Sequence, residues 1–215
     1  MTPPHLELRE LCCTRDERCL FSGLNARWES GDLVQLLGPN GSGKTSLMRL
    51  LAGVSRDYDG EILWCGRPVQ QQSWEFASEL LYLGHQPGIK KALTPLENLR
   101  WYASLSAPSS DAQLIDALGQ LGMAAYRDTP CAQLSAGQLR RVALARLYIS
   151  HASVWILDEP FTAIDKLGVA RLESCLQTRI NEGGLVLITS HQDLSLSGVK
   201  TLRLEDFRPR AGVSQ

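Results

Sequence analysis

The octapeptide GPNGSGKT, residues 38–45, constrains the fold of this chain more than any other stretch. It follows the apolar run LVQLL and precedes SLMRLLA, whose apolar positions recur at helical spacing, so it reads as the turn between a buried strand and a helix. Glycines at 38, 41 and 43 remove Cβ atoms and let successive backbone N–H groups converge on phosphate oxygens. The helix N-terminus adds about half a positive charge. In such a loop Gly38, Pro39, Asn40, Gly41, Ser42 and Gly43 form the cradle, Lys44 bridges the β and γ phosphates, and Thr45 offers its hydroxyl to Mg²⁺. The expected ligands are ATP and Mg²⁺.

A phosphate loop of this kind sits at the edge of an α/β sheet, and the rest of the chain supplies the strands. They are expected at 5–12, 19–28, 32–37, 61–64, 79–83, 154–157, 185–189 and 200–204, with a polar turn, TRDER, between the first two. Helices are expected at 44–52 and 166–181, and residues 94–149 read as mostly helical. In that section Thr94, Pro95 and Glu97 are a cap, a first-position proline and a capping acid, and Asp111 caps a further helix through Leu121. The architecture expected is a parallel sheet with a helical insert, and the tail RPRAGVSQ is expected to fray.

With 215 residues the chain suits one large domain, or a core with a small subdomain. Its 22 basic and 23 acidic residues give a net charge of -1, so no global field recommends nucleic acid as a partner. No apolar run approaches the roughly 18 to 20 residues that span a bilayer, and the start MTPPHLELRE lacks a signal-peptide core, so a cytoplasmic protein is expected. The six cysteines, at 12, 13, 19, 65, 131 and 175, include no C-x-x-C pair and no metal-ligand spacing. They read as small reduced thiols.

Further chemistry follows the apolar strands. In VWILDEP the strand delivers Asp158 to its carboxyl end, where open α/β sheets bind ligands and where the carboxylate can reach Mg²⁺. Glu159 follows directly; beside a nucleotide the natural division is Asp158 on the metal and Glu159 polarising a water. His191, after LVLITS, can hold the γ phosphate and orient that water, although a histidine after a strand is by default a surface residue. Gln86, after LLYLGH, can offer an amide to the metal.

The stretch LSAGQLRRVALARL adds a second glycine-bearing helix start. Ser135 and Gln138 form a capping box over apolar Leu139, Val142, Leu144 and Leu147. Gly137 is a poor helix former in a first turn, by roughly 0.5 to 1 kcal/mol against alanine. That choice suggests close approach by an anion.

Taken in order and spacing, GPNGSGKT, Gln86, LSAGQ, LDEP, Asp165 in FTAID and His191 resemble the ATP-binding cassette of ABC transporters over essentially the whole chain. The resemblance implies an ABC-type P-loop core with an N-terminal antiparallel β-subdomain: residues 1–93 and 151–215 as the core, about 94–150 as the helical signature subdomain. It also implies that Ser135, Gly137 and Gln138 face ATP held by a second copy in a head-to-tail dimer, not the chain's own loop, with Asp165 also near the nucleotide. Ala136 stands where the family commonly has glycine, and its single methyl is expected to be tolerated. Arg15 stands where the family commonly stacks an aromatic ring on adenine; a planar guanidinium can stack there too.

Within the family, GHQPGIK, LTPLENLRWY, QLSAGQLRRVALARL and WILDEPFTAID resemble the ATPases of bacterial cytochrome c maturation. That resemblance implies a peripheral subunit on the cytoplasmic face of the inner membrane, docked on a permease, with haem-handling membrane proteins and a periplasmic haem chaperone as indirect partners. The permease would meet His85, Pro87, Gly88, Ile89 and Lys90, near Leu93, Leu96, Trp101 and Tyr102, unless the last three are simply core of the insert. A soluble cassette acting on ribosomes or nucleic acid is the alternative, but such proteins carry fused cassettes or a long coil, and this chain shows neither, nor a basic stripe. A phosphoryl-transfer kinase would leave LSAGQ and His191 unexplained.

Overall fold

The computed structural model describes residues 4–105, 108–190 and 194–209. In chain order its elements are β1 (His5–Arg15), β2 (Arg18–Glu29), β3 (Leu33–Leu37), α1 (Lys44–Leu51), β4 (Asp59–Trp64), β5 (Arg67–Pro68), α2 (Ser73–Ser78), β6 (Leu80–Leu83), α3 (Pro95–Ser104), α4 (Asp111–Gln120), α5 (Ala136–Leu144), β7 (Val154–Asp158), α6 (Lys166–Asn181), β8 (Leu185–Thr189) and β9 (Lys200–Arg203), with short 3₁₀ turns between some of them. The strands form two sheets: an antiparallel one in the order β2-β1-β4-β5 and a parallel one in the order β6-β7-β8-β3-β9.

The parallel strands alternate between two cores. Val154 and Ile156 of β7 and Leu185 and Leu187 of β8 face a core shared with α1 and the antiparallel sheet. Trp155, Leu157, Val186 and Ile188 face the opposite way, beneath α3, α4, α5 and α6. A sheet covered on both faces needs continuous apolar strands, and VWIL and LVLI provide them.

Several boundaries differ from the sequence expectation. The first hairpin is longer, since only Asp16 and Glu17 separate β1 from β2. Both have positive φ, 48° and 61°, the backbone of a type I′ turn, which the polar string TRDER does not announce. The cap of α4 is Ser110, whose hydroxyl accepts from Gln113 N–H in a capping box, and Asp111 is the first helical residue, paired with Arg100. α5 stops at Leu144 and continues as a 3₁₀ turn over Ala145–Ile149, and β9 gives way to one at Leu204–Phe207. A 3₁₀ turn at Val69–Gln72 and the six-residue α2 went unforeseen, being too short to show a period.

The loop from β6 to α3 is pinned from within. Asn98, fully buried, accepts from Lys90 N–H and donates to the carbonyls of Lys90 and Thr94 at 2.9 to 3.1 Å. Tyr102 O–H donates to Gly88 O at 2.5 Å, Lys90 Nζ sits 4.2 Å from the Trp101 ring centroid, and Arg146 stacks 3.6 Å from that of Tyr102. Leu96 is core of the insert, whereas Trp101 remains 39% exposed.

Candidate functional site

The loop 38–45 turns from β3 into α1 at the carboxyl edge of the parallel sheet. Gly43 caps α1 at φ 100°, and a Cβ there would stand 3.2 Å from Leu20 and Phe21, so only glycine fits without displacing the hairpin. Lys44 Nζ folds over the loop and donates to the carbonyls of Gly38 and Pro39 at 2.6 and 3.1 Å. The buried Ser42 hydroxyl has no hydrogen-bond partner among the described residues.

β7 carries Asp158 to the same edge, buried to 2% exposure. Thr45 Oγ1 donates to its Oδ2 at 3.0 Å and Thr189 Oγ1 to its Oδ1 at 2.7 Å. The Thr189 hydroxyl in turn accepts from Glu159 N–H at 2.8 Å, and Glu159 takes a positive φ of 52°. A non-glycine residue in that region costs about 1 to 3 kcal/mol, which the surrounding bonds must offset. Burial, together with the Asp158 carboxylate, pushes the nearby Tyr82 phenol above its ordinary value.

These groups line one cleft of about 960 Å³, with Arg15 and Leu20 at the hairpin, Asn40, Gly41, Gly43, Lys44 and Thr45 of the loop, Gln86, Lys91, Ala136, Gly137 and Arg140, and Asp158 and Glu159. Four basic residues and two acidic ones line it, a balance that suits a triphosphate carrying one divalent cation. The donor set fits both ligands. An orphaned serine oxygen and glycine backbone meet phosphate, and a hydroxyl beside a carboxylate supplies the hard oxygens that Mg²⁺ prefers.

Ala136 and Gly137 also line this cleft, where the 159–163 turn packs against the start of α5; a Cβ on Gly137 would meet Ala163 O at 3.6 Å. That is an ordinary contact, so packing within the chain does not require glycine there. Ser135 and Gln138 form the expected capping box, with bonds of 3.3 and 2.9 Å, and Asp165 caps α6 by accepting from Gly168 N–H at 2.8 Å; none of the three lines the cleft. His191 lies outside the described residues.

Sequence reasoning missed two residues. Thr189 hid as the last letter of an apolar strand, though a lone hydroxyl in LVLIT is a signal in itself. Arg140, only 7% exposed, donates to the carbonyls of Gly84, Asp158 and Glu159 at 2.6, 2.5 and 3.1 Å. One residue in a basic pair on a helix gives no warning of burial.

Residues 21–162 match the protein family described as ABC transporter. The cytochrome c biogenesis ATP-binding export protein CcmA of Saccharophagus degradans is 51% identical over 214 residues, 95% of each chain. Its namesake from Escherichia coli K12 is 50% identical over 206 residues, 96% of this chain and 98% of that one. An ABC transporter ATP-binding protein from Pyrococcus furiosus has the same fold, with a TM-score of 0.82 at 26% identity over 95% of this chain and 100% of that one. The chain therefore belongs to the ABC transporter family of ATP-binding proteins, in the group that contains the CcmA proteins.

Proposed function

We propose that this ABC ATPase is the energising subunit of a membrane complex for cytochrome c maturation. The observation that carries its chemistry is the convergence of Lys44, the Thr45–Asp158 pair, Gln86 and Glu159 on a single cleft. ATP lies on the backbone of residues 38–43, with Lys44 leaving its loop carbonyls for the β and γ phosphates and Arg15 against the base beside Leu20. Thr45, Asp158 and Gln86 would hold Mg²⁺, which would neutralise charge on the phosphate oxygens.

Glu159 accepts the proton of the attacking water, and His191 positions that water. Ser135, Gly137 and Gln138, with Asp165, serve ATP across a head-to-tail pair of cassettes. Residues 1–93 and 151–215 act as the nucleotide-binding core and about 94–150 as the part that presents the signature helix. Two nucleotides hold the pair closed, and hydrolysis releases it.

The cytochrome c assignment rests on the relatives at 50 and 51% identity. In this reading the chain is a peripheral subunit on the cytoplasmic side of the inner membrane, bound to an integral-membrane permease, with haem and its periplasmic chaperone handled by further proteins of the complex. Among the described residues, no helix is long and apolar enough to cross a membrane. The surface from His85 to Lys90, of which His85 and Pro87 also line the nucleotide cleft, is with the half-exposed Trp101 the proposed docking surface.

Co-expression with the candidate permease tests the reading. Recovery of the chain in a membrane complex whose ATP turnover responds to haem or its chaperone is the expected result. A chain that never associates with membrane protein, and responds instead to ribosomes or nucleic acid, would overturn it in favour of the soluble alternative.

A further inference from the structure

Arg140 is an anomaly in the cleft. Its guanidinium is buried, yet all three of its hydrogen bonds go to neutral backbone carbonyls: Gly84 at the end of β6, and Asp158 and Glu159 at the end of β7. Burial draws the guanidinium below its ordinary value, and the carboxylates of Asp158 and Glu159 oppose that. A cation held this way is a poor device for stability, because an apolar side chain of similar volume is often as good or better. What a planar fork with fixed donors provides is an angle between the segments it joins.

Those segments are functionally distinct. Arg140 lies three residues after Gly137 on α5, so the two are neighbours on one helix face and move as a unit. Gly84 leads directly into His85 and Gln86, and the other two carbonyls bracket Glu159. Glu159 itself is held at a φ of 52° from both sides, its N–H bonded to Thr189 and its carbonyl to Arg140.

We infer that Arg140 is a positioning residue that couples the signature helix to Glu159 and to the loop bearing Gln86. Displacement of α5 by whatever contacts Gly137 is transmitted through one guanidinium to the backbone of the catalytic base. The inference rests on the reading of Glu159 as that base, and it adds that alignment of the base depends on where the helical insert stands.

The test is a double-mutant cycle in ATP turnover on the purified chain, comparing wild type, Arg140→Gln, Glu159→Gln and the double variant, with Arg140→Lys as the conservative substitution. ATP affinity and Tm are measured for each. Arg140→Gln should lower kcat by about 10- to 100-fold, the size of a modest misplacement of a catalytic group. ATP affinity should stay within about threefold of wild type, Arg140→Lys should recover part of the rate, and Arg140→Gln should add less than about twofold to the loss caused by Glu159→Gln.

Wild-type kcat in Arg140→Gln would overturn the inference. So would a full further loss in the double variant, or parallel losses of Tm, affinity and rate, which describe a structural clamp. If Arg140→Gln does not fold, the same cycle with Arg140→Lys decides. Normal turnover in Glu159→Gln removes the base assignment and the positioning role together, whereas a crippled Glu159→Gln beside an inert Arg140→Gln removes the positioning role alone.

Discussion

The Thr45 hydroxyl, in the first turn of α1, donates a 3.0 Å hydrogen bond to Asp158 at the end of β7. It joins the phosphate loop to a strand 113 residues away in sequence and fixes the distance between two oxygens proposed to share one cation. Because Thr189 takes the other oxygen, the carboxylate is oriented before any metal arrives. Preorganised ligands of this kind exact little reorganisation when the cation binds.

Asp158→Asn keeps the volume and one acceptor but removes the charge. The variant should fold, with Tm within a few degrees of wild type, while Mg²⁺-dependent ATP turnover falls by roughly 100-fold or more. Thermal unfolding beside a magnesium titration of the rate checks this. Turnover near wild type at ordinary magnesium would contradict the proposed ligand set.

Gly137 separates folding from function. The chain can accommodate a Cβ there at 3.6 Å from Ala163 O, and alanine is the better helix former by about 1 kcal/mol. Gly137→Ala should therefore hold or raise Tm. If a γ phosphate approaches this backbone, the same methyl should reduce turnover by about tenfold or more, equivalent to roughly 1.4 kcal/mol of barrier. Unchanged turnover would mean that nothing needs the space.

Asn98 holds the loop that carries Gln86. Removing its side chain leaves the part-buried Lys90 N–H without its acceptor and takes from Lys90 O one of its two donors, the other being Leu93 N–H, so Asn98→Ala should cost about 1 to 3 kcal/mol in denaturant unfolding. Susceptibility of residues 85–94 to limited proteolysis should rise with it.

The thiols should react in order of environment. Cys65 is exposed, whereas burial pushes Cys175 up to about 12 and raises Cys13 and Cys131. At pH 8 a thiol of pKa 12 is about 10⁻⁴ thiolate, rising tenfold per pH unit. Maleimide labelling followed by mass spectrometry should modify Cys65 rapidly and Cys175 only on unfolding or at high pH. Rapid labelling of Cys175, which is partly buried, in the folded chain at pH 8 would contradict its raised pKa.

Consecutive residues made much of the site legible. GPNGSGKT and LDEP each carry their chemistry within one strand and the turn that follows it, so their spacing survives in the sequence. The parallel sheet was legible for the same reason, in the uninterrupted apolar runs of β7 and β8. Arg140 and Thr189 were not, because they act on backbone groups or on side chains distant in sequence, and no local pattern records such partners. The cap of α4 was misread by one residue because serine and aspartate stand side by side at 110 and 111 and both favour that position. Gly137 stood out as a costly choice in a first turn, whereas its place on the cleft wall depends on the distant 159–163 turn, which no local pattern records.

In the proposed mechanism Glu159 activates water on ATP held in this cleft. Its most direct test measures ATP binding and ATP turnover together in Glu159→Gln. Turnover should fall by roughly 10² to 10⁴, the usual size for a positioned general base, with ATP affinity preserved. Turnover close to wild type with ATP bound normally would contradict it.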